Sequence, residues 1–179
     1  ILIIGGGCAG ISVATRLKSL KSDLTISIIE PSEKSLYQAA WTLVGAGAYD
    51  VDSTIKPMSS VMPSYVKWIK EYAEEFMPET NSVKTNNGTY TYDYLVVCPG
   101  LKLNFDGVAG LKEHLGKNNV CTNYSAEMAT YTWECLKNLD GGTLLFTEPP
   151  MPIKCAGAPQ KIAYLAADHL KKKGKLNES

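Results

Sequence analysis

The first thirty residues combine two short apolar runs with a helical pattern between them. Ile1–Ile4 and Leu24–Ile29 each predict a buried strand. Ile11, Ala14 and Leu17 recur at helical spacing in the segment that separates them. The pattern predicts a strand–helix–strand unit, whose two strands lie parallel in one sheet.

Further strand signals follow in the next seventy residues. Val66–Ile69 is a third strand candidate, and the apolar run Tyr94–Val97 predicts another buried strand. Asn86-Asn87-Gly88 lies between two polar runs and predicts a hairpin turn. Ser35–Gly47 is rich in glycine and alanine and predicts a loop or a short helix.

The second half of the chain predicts two helices with a strand between them. The first helix face is traced by Met128, Tyr131, Cys135 and Leu139, and the final one by Ile162, Leu165, Ala166 and Leu170. Thr143–Thr147 predicts the strand. The loop-like stretch Gly107–Asn119 suggests two domains, at residues 1–115 and 116–179. We expect an α/β fold in which a Rossmann-like dinucleotide-binding domain is followed by the start of a second Rossmann-like domain.

Composition excludes several classes of protein. Eighteen basic residues balance eighteen acidic ones, which argues against a nucleic-acid-binding protein, and 45% hydrophobic residues argue against disorder. The longest uncharged stretches, Ile1–Thr15 and Ser35–Tyr49, are fifteen residues each and shorter than the roughly 20 that a spanning helix needs. Lysines within Lys171–Lys175 are typical of a solvated helix end, with a contact to anionic lipid as the alternative.

Cysteine and histidine usage narrows the candidate chemistry. Five cysteines are an odd number without a Cys-x-x-Cys pair, and there are only two histidines. This pattern argues against a disulfide framework and against a metal site, and it leaves room for a reactive thiol.

The glycines after the first predicted strand form a dinucleotide-binding motif. Gly5, Gly7 and Gly10 match G-x-G-x-x-G between a strand and a helix. The motif needs Gly5 for a tight turn, Gly7 for close approach of a pyrophosphate and Gly10 for helix–strand packing. Glu30 lies twenty residues beyond Gly10, at a strand end, where a carboxylate accepts hydrogen bonds from a ribose. The alternative is a glycine-rich turn beside a solvated glutamate.

The same residues limit the choice of dinucleotide. Glu30 disfavours the 2′-phosphate of NADP, whereas the motif alone leaves FAD and NAD open. Cys98-Pro99-Gly100 after the strand Tyr94–Val97 resembles the Ala-Thr-Gly strand end of flavoproteins with two dinucleotide sites, which favours FAD and places Gly100 near it. Glu148–Pro152, by contrast, follows the predicted strand Thr143–Thr147 without a second glycine motif, which argues against NAD(P)H as the electron donor.

One cysteine has the surroundings of a nucleophile. Cys155 lies just before a predicted helix start, with Pro159 in its first turn and Lys154 beside it. A helix N-terminus and a neighbouring cation both favour the nucleophilic thiolate over the thiol. The alternative is a buried structural cysteine, which is how we interpret Cys98 and Cys135.

Two segments resemble the sulfide:quinone oxidoreductases, most closely their mitochondrial-like branch. Pro152–Leu165 (PIKCAGAPQKIAYL) is similar to the active-site motif of that family, and Tyr37–Gly47 (YQAAWTLVGAG) to its segment beside the flavin. The resemblance implies a flavoprotein of the disulfide-reductase superfamily. Such enzymes oxidise hydrogen sulfide to a persulfide or polysulfide and pass two electrons through FAD to quinone.

The resemblance also implies roles for individual residues. Cys155 would be one of two redox cysteines and would receive the sulfane sulfur. Cys121 stands where the bacterial branch has a third cysteine, so it is a second catalytic candidate beside the alternative of a structural cysteine. The implied FAD contacts are Cys8, Ala9, Glu30, Gln38 and the backbone near Ala73.

Partners and location follow from the same resemblance. The family uses a sulfane-sulfur acceptor such as sulfite or glutathione, and it is peripheral to the mitochondrial inner membrane or the bacterial cytoplasmic membrane. We expect this chain to be the N-terminal part of a longer protein, with the second redox cysteine and the membrane-contacting segment beyond residue 179. The alternatives are a type II NADH:quinone dehydrogenase-like flavoprotein and a non-catalytic FAD-binding or persulfide-carrier module.

Overall fold

The computed structural model describes residues 1–178, in which short strands alternate with helices up to residue 97 and only helices follow. The strands are β1 Leu2–Ile4, β2 Ile26–Ile29, β3 Lys34–Leu36, β4 Ile55–Pro57, β5 Val66–Ile69, β6 Ala73–Met77, β7 Ser82–Thr85, β8 Thr89–Thr91 and β9 Leu95–Val97. The α-helices are α1 Cys8–Leu20, α2 Trp41–Gly45, α3 Met58–Val61, α4 Leu111–His114, α5 Ala126–Lys137 and α6 Ala158–Lys172.

The chain divides into two compact units, which we describe separately. The first contains Ile1–Leu36 and Ile55–Gly100, and the second contains Tyr37–Thr54 and the chain from Leu101 onward. Because the second unit includes an insertion from the first half of the sequence, these units differ from the domains predicted at 1–115 and 116–179. That predicted boundary concerns the whole protein and stays a prediction.

A four-stranded parallel sheet forms the centre of the first unit. Its strand order is β5-β2-β1-β9, with every neighbouring pair parallel. The predicted unit β1-α1-β2 and the predicted strands β5 and β9 are therefore confirmed. β2 pairs with one edge of β1, and β9, which comes last in the sequence, pairs with the other edge. The carboxyl end of β1 is thus a topological switch point, where open α/β sheets bind ligands.

The two faces of this sheet bury different clusters because side chains alternate along a strand. Ile3 faces α1 and packs with Ala14, both fully buried. Leu2 and Ile4 face the opposite side and pack with Val83 of β7. The sheet is therefore covered by a helix on one face and by β-structure on the other, as its continuous apolar strands require.

Antiparallel strands complete the first unit. β6, β7 and β8 form a three-stranded sheet, and β3 pairs with β4. Residues 86–88 connect β7 to β8, so the predicted hairpin turn is confirmed. The segment predicted as a loop or short helix, Ser35–Gly47, contains the end of β3, a 3₁₀ turn at Gln38–Ala40 and α2.

The second unit is built from helices around α2. Trp41 and Val44 of α2 pack against Ala129 of α5, and Leu136 packs against Ile162 of α6. Pro159 lies in the first turn of the final helix, as predicted, and Ile162, Ala166 and Leu170 of the predicted face are buried. Leu165, the fourth residue of that face, is only half-buried.

The predicted buried face of α5 is wrong by one residue. The side chains that α5 buries are Ala129, Thr132 and Leu136, not Met128, Tyr131 and Cys135. Leu139 lies beyond the end of the helix. Ala129 is fully buried in the cluster with Trp41, because a small side chain lets two helices approach closely. Periodicity alone favoured the larger apolar residues.

The strand predicted at Thr143–Thr147 is also wrong, because this segment has no regular structure. A strand needs a neighbour to accept and donate its backbone hydrogen bonds, and residues 101–178 of this unit form no sheet that provides one. Leu145 is accordingly 84% exposed.

The lysines near the end of α6 take part in local contacts. Lys173 donates to the carbonyl oxygen of Lys137, at the end of α5 (2.9 Å), and Lys172 pairs with Asp168 (2.6 Å). A cation beside C-terminal carbonyls is what the helix-end interpretation predicts. Within residues 1–178, every helix is too short or too polar to cross a lipid bilayer.

Candidate functional site

The glycine motif forms the turn between β1 and α1. Gly5 has φ +96°, a backbone conformation that glycine adopts without strain. A side chain on Gly10 would collide with the carbonyl oxygen of Gly5 and approach Ile3 to 3.3 Å. The predicted reasons for these two glycines, a tight turn and close helix–strand packing, are therefore confirmed.

Gly7 differs from its neighbours because open space surrounds it. A Cβ atom added there would meet nothing within 4 Å, and its φ of −73° is ordinary. Gly7 precedes α1, which begins without a side-chain cap and without an acidic residue in its first turn. The N–H groups at this helix start thus point toward an approachable surface with a positive dipole end, which suits a phosphate.

The carboxylate of Glu30 is fixed at the edge of this loop. One of its oxygens accepts a hydrogen bond from Gly6 N–H and the other from Ser32 N–H, both at 2.7 Å. A Cβ on Gly6 would come within 2.7 Å of the Glu30 side chain. Sequence reasoning missed Gly6, although the run of three consecutive glycines is a signal that the middle one is also needed.

The strand ends beside Glu30 add an aromatic surface and a cation. Trp68 donates from Nε1 to the carbonyl oxygen of Glu30 (2.8 Å), and Lys70 Nζ lies 4.5 Å from the centre of the Trp68 ring. Lys70 also pairs with Glu33 at 2.8 Å, and this pairing lowers the pKa of the Glu33 carboxyl. The ion pair is exposed, so it contributes little to stability. It holds Lys70 over the indole beside the dinucleotide motif.

The other residues predicted to contact the cofactor lie in different parts of the chain. Cys8 and Ala9 are exposed at the start of α1. Ala73 is the first residue of β6 and packs on the sheet, and Gly100, with φ +76°, has open space around it. These residues share the first unit with Glu30, whereas Gln38 begins the 3₁₀ turn of the second unit.

Cys155 is an exposed free cysteine three residues before α6. Its backbone is left-handed, with φ +60°. Its carbonyl oxygen accepts hydrogen bonds from Ala158 N–H (2.9 Å) and from the hydroxyl of Tyr124 (3.3 Å). Burial raises the pKa of Tyr124, and the charges of Cys155 and Glu148 raise it further, so the hydroxyl remains a donor.

The neighbouring Lys154 contacts an aromatic ring. Its ammonium lies 5.8 Å from the ring centre of Trp41, a residue that is only 5% exposed. Partial burial lowers the pKa of Lys154. The sequence predicted this cation as a neighbour of the Cys155 thiol, and the structure adds an indole that holds it.

Cys121 has different neighbours, near the start and middle of α5. Its thiol contacts the carbonyl oxygen of Asn119 at 3.8 Å, and Tyr131 accepts a hydrogen bond from Asn119 N–H at 3.2 Å. Burial raises the pKa of Cys121, and proximity to Cys135 raises it further, against a hydrogen bond with Thr132 that lowers it. Cys121 therefore resists conversion to the thiolate.

Comparison with known proteins assigns the chain to a family. A profile of the pyridine nucleotide-disulphide oxidoreductases matches residues 1–130. The mitochondrial sulfide:quinone oxidoreductases of Mus musculus and Dictyostelium discoideum are 40% and 46% identical over 98% and 97% of this chain. The solved structure of the sulfide:quinone oxidoreductase from Aquifex aeolicus superimposes with a TM-score of 0.75 over 99% of the chain at 28% identity. The chain belongs to the pyridine nucleotide-disulphide oxidoreductase family, and its predicted resemblance to sulfide:quinone oxidoreductases is confirmed.

These matches cover nearly all of this chain but less than half of each relative. The chain spans 39% of each mitochondrial relative and 41% of the Aquifex protein. The Rossmann-like α/β fold predicted from the sequence is confirmed by the parallel sheet and by this superposition. Membership of the family, together with these relatives, implies a flavin cofactor.

Proposed function

We propose that this chain is the FAD-binding and sulfur-accepting part of a sulfide:quinone oxidoreductase. The observation that carries the proposal is the exposed thiol of Cys155 at the start of α6, in a motif similar to the active site of that family. The relatives named for this activity match the chain along nearly its whole length.

The first unit has the features that hold FAD. Gly5, Gly7 and Gly10 shape the loop, and the N–H groups of Cys8 and Ala9 at the start of α1 would bind the pyrophosphate. The Glu30 carboxylate accepts hydrogen bonds from the ribose. The remaining contacts that we propose are Gln38, Ala73 and Gly100. When bound, FAD accepts two electrons from the thiol chemistry and delivers them to quinone.

Cys155 supplies the sulfur chemistry. In the oxidised enzyme its sulfur is bonded to a second cysteine, which we place outside this chain. Hydrosulfide attacks the Cys155 sulfur and forms a new S–S bond, while the bond to the second cysteine breaks and that sulfur leaves as a thiolate with the electron pair. Cys155 then carries the persulfide, and a sulfite or thiol acceptor such as glutathione removes its outer sulfur.

Cys121 is proposed as a second catalytic thiol with a smaller contribution. Its raised pKa leaves little thiolate at neutral pH, so its reactions are expected to be slow there. Cys121→Ser should therefore reduce turnover much less than Cys155→Ser. An equal loss in both variants would contradict this ranking.

The proposal extends to the location of the enzyme. Because quinones are confined to the lipid phase, the protein acts at a membrane surface, that of the mitochondrial inner membrane or of a bacterial cytoplasmic membrane. We assign this contact to the part of the protein beyond this chain.

Anaerobic titration of the full-length, FAD-loaded protein with sulfide tests the proposal. We expect stoichiometric sulfide to bleach the flavin absorbance and a short-chain quinone to restore it. Cys155→Ser should keep FAD and lose the bleaching. Rapid bleaching by NADH with none by sulfide would instead establish a type II NADH:quinone dehydrogenase activity, and no bleaching by either would leave a binding or carrier module.

A further inference from the structure

The backbone of Cys155 is unusual for its residue type. Four non-glycine residues in the described part of the chain have positive φ, and the other three are Asn81, Asn118 and Asn119. Asparagine visits the left-handed region readily, whereas other side chains crowd the backbone there. Cys155 therefore needs contacts that hold it in this conformation, and strain of this kind is concentrated at functional sites.

One contact on Cys155 comes from outside its own turn. The hydrogen bond from Ala158 N–H is local, but the Tyr124 hydroxyl belongs to the segment before α5 and donates to the same carbonyl oxygen. The backbone of Tyr124 is itself held, because its N–H donates to Thr122 Oγ1 at 3.2 Å. Tyr124 thus connects the Cys155 backbone to the segment before α5.

The residue before Cys155 is held as well. Lys154 lies over Trp41, whose Nε1 donates to Thr54 Oγ1 at 3.2 Å. Thr54 in turn donates to the carbonyl oxygen of Val51 at 2.6 Å. The indole is therefore fixed by a buried hydrogen-bond chain, and the cation–π contact limits where Lys154 can move.

We propose that Tyr124 is a positioning residue for Cys155, which maintains the left-handed backbone and so the direction of the thiol, with Lys154 on Trp41 as a second anchor. The role rests on the proposed sulfur chemistry of Cys155. Without the hydroxyl, the strained backbone can relax and the thiol spends less time in line with the S–S bond that must form or break. We expect the loss in the chemical step, because the proposed role of Tyr124 concerns the direction of the thiol and not the binding of sulfide or FAD.

The test is Tyr124→Phe in the full-length, FAD-loaded protein, with sulfide-dependent flavin reduction followed anaerobically by stopped flow. We expect the limiting rate to fall about 2- to 13-fold, the range equivalent to one ordinary hydrogen bond. The half-saturating sulfide concentration and the FAD content should stay at parental values. Tyr94→Phe is the matched control, since Tyr94 is a 71% exposed tyrosine outside the Cys155 motif.

A second pair of variants keeps the proposal testable if Tyr124→Phe does not fold. Lys154→Gln removes the cation from Trp41 and should lower the limiting rate, whereas Lys154→Arg keeps a cation over the ring and should restore it. A parental rate in a folded Tyr124→Phe variant would overturn the positioning role of Tyr124, and a parental rate in Lys154→Gln would overturn the role of Lys154 as a second anchor.

Other results would overturn the positioning role or the proposed function on which it rests. An equal fall in Tyr124→Phe and Tyr94→Phe, or a change confined to the half-saturating sulfide concentration, would remove the positioning role. Cys155→Ser distinguishes a failure of the proposed function from a failure of the positioning role. Sulfide-dependent flavin reduction in that variant would refute the proposed function, whereas its loss beside a parental Tyr124→Phe rate would refute the positioning role alone.

Discussion

Gly7→Ala separates cofactor binding from folding, because the open space around Gly7 serves no contact of the protein itself. An alanine there meets nothing within 4 Å and keeps an ordinary φ of −73°. Alanine is a poorer N-cap than glycine but also restricts the unfolded chain, and these opposing effects are each about 0.5–1 kcal/mol. The free energy of unfolding of the apoprotein should therefore change by less than about 1 kcal/mol.

The same methyl group should have a large effect on FAD. In the proposed FAD site it would occupy the place where the pyrophosphate approaches the backbone, so the phosphate oxygens would lose one or two charge-assisted hydrogen bonds to the N–H groups of α1. A loss of about 2–4 kcal/mol corresponds to a Kd that is roughly 30- to 700-fold higher. Gly7→Ala should thus fold normally and bind FAD poorly.

The measurement uses full-length apoprotein titrated with FAD, following flavin fluorescence, with urea unfolding of the same samples. Gly88→Ala is the matched control, because Gly88 also has open space around its Cβ position but lies in the β7–β8 turn. Parental FAD affinity in Gly7→Ala would refute the proposed approach of the pyrophosphate. A destabilised apoprotein would refute the argument from open space.

Three more predictions follow from the same structure. Glu30→Ala should lower the affinity for FAD about tenfold, measured as flavin retained after gel filtration. Iodoacetamide labelling of free thiols is the control for intact thiol chemistry. Unchanged flavin content would count against the ribose contact. Gly47→Ala should lower the free energy of unfolding in urea by about 1–3 kcal/mol more than Gly174→Ala. Both glycines have positive φ, but only Gly47 lies against the Trp133 ring. Equal losses of unfolding free energy in the two variants would contradict this. Burial lowers the pKa of His169 in the folded protein below its ordinary value of 6.5. The stabilising contribution of the neutral imidazole is therefore present above pH 6.5 and is lost as the pH falls toward the lower pKa of the folded state. His169→Gln should flatten that part of the pH–stability curve, and an unchanged curve would exclude His169 as its cause.

The first half of the fold could be predicted because local signals there agree with the tertiary structure. β1 and β2 come from mostly apolar runs and are buried strands of a parallel sheet, and the glycine motif marks the turn after β1. Glycine at Gly5 and Gly10 has a local steric reason, so the sequence motif carries the geometry with it.

The second half was less predictable because its structure depends on partners. Thr143–Thr147 has strand character, but strand formation requires a neighbouring strand that the sequence of this segment does not specify. The buried face of α5 was missed because Ala129, although fully buried, is less hydrophobic than the larger apolar residues of the helix. Packing against Trp41, which is more than eighty residues away in the sequence, decides which face is inside.

The residues of the candidate site also fall into a group that the sequence predicts and a group that only the structure reveals. Glu30 and Cys155 were identified from motifs, whereas Gly6, Tyr124 and Trp41 were not. Their roles arise from hydrogen bonds and ring contacts between distant segments, such as the Tyr124 hydroxyl on the Cys155 carbonyl. No spacing rule in the sequence connects such pairs.

The two hydrogen bonds that hold the Glu30 carboxylate have a consequence for the entropy of binding. A free glutamate must give up rotamer freedom when it captures a ligand, which costs about 0.5–1.5 kcal/mol. Gly6 and Ser32 have already restricted this side chain in the protein without a ligand. The ordering cost is therefore met during folding, and a dinucleotide that reaches the loop encounters a carboxylate that is already oriented, with lone pairs to spare for its hydroxyl groups.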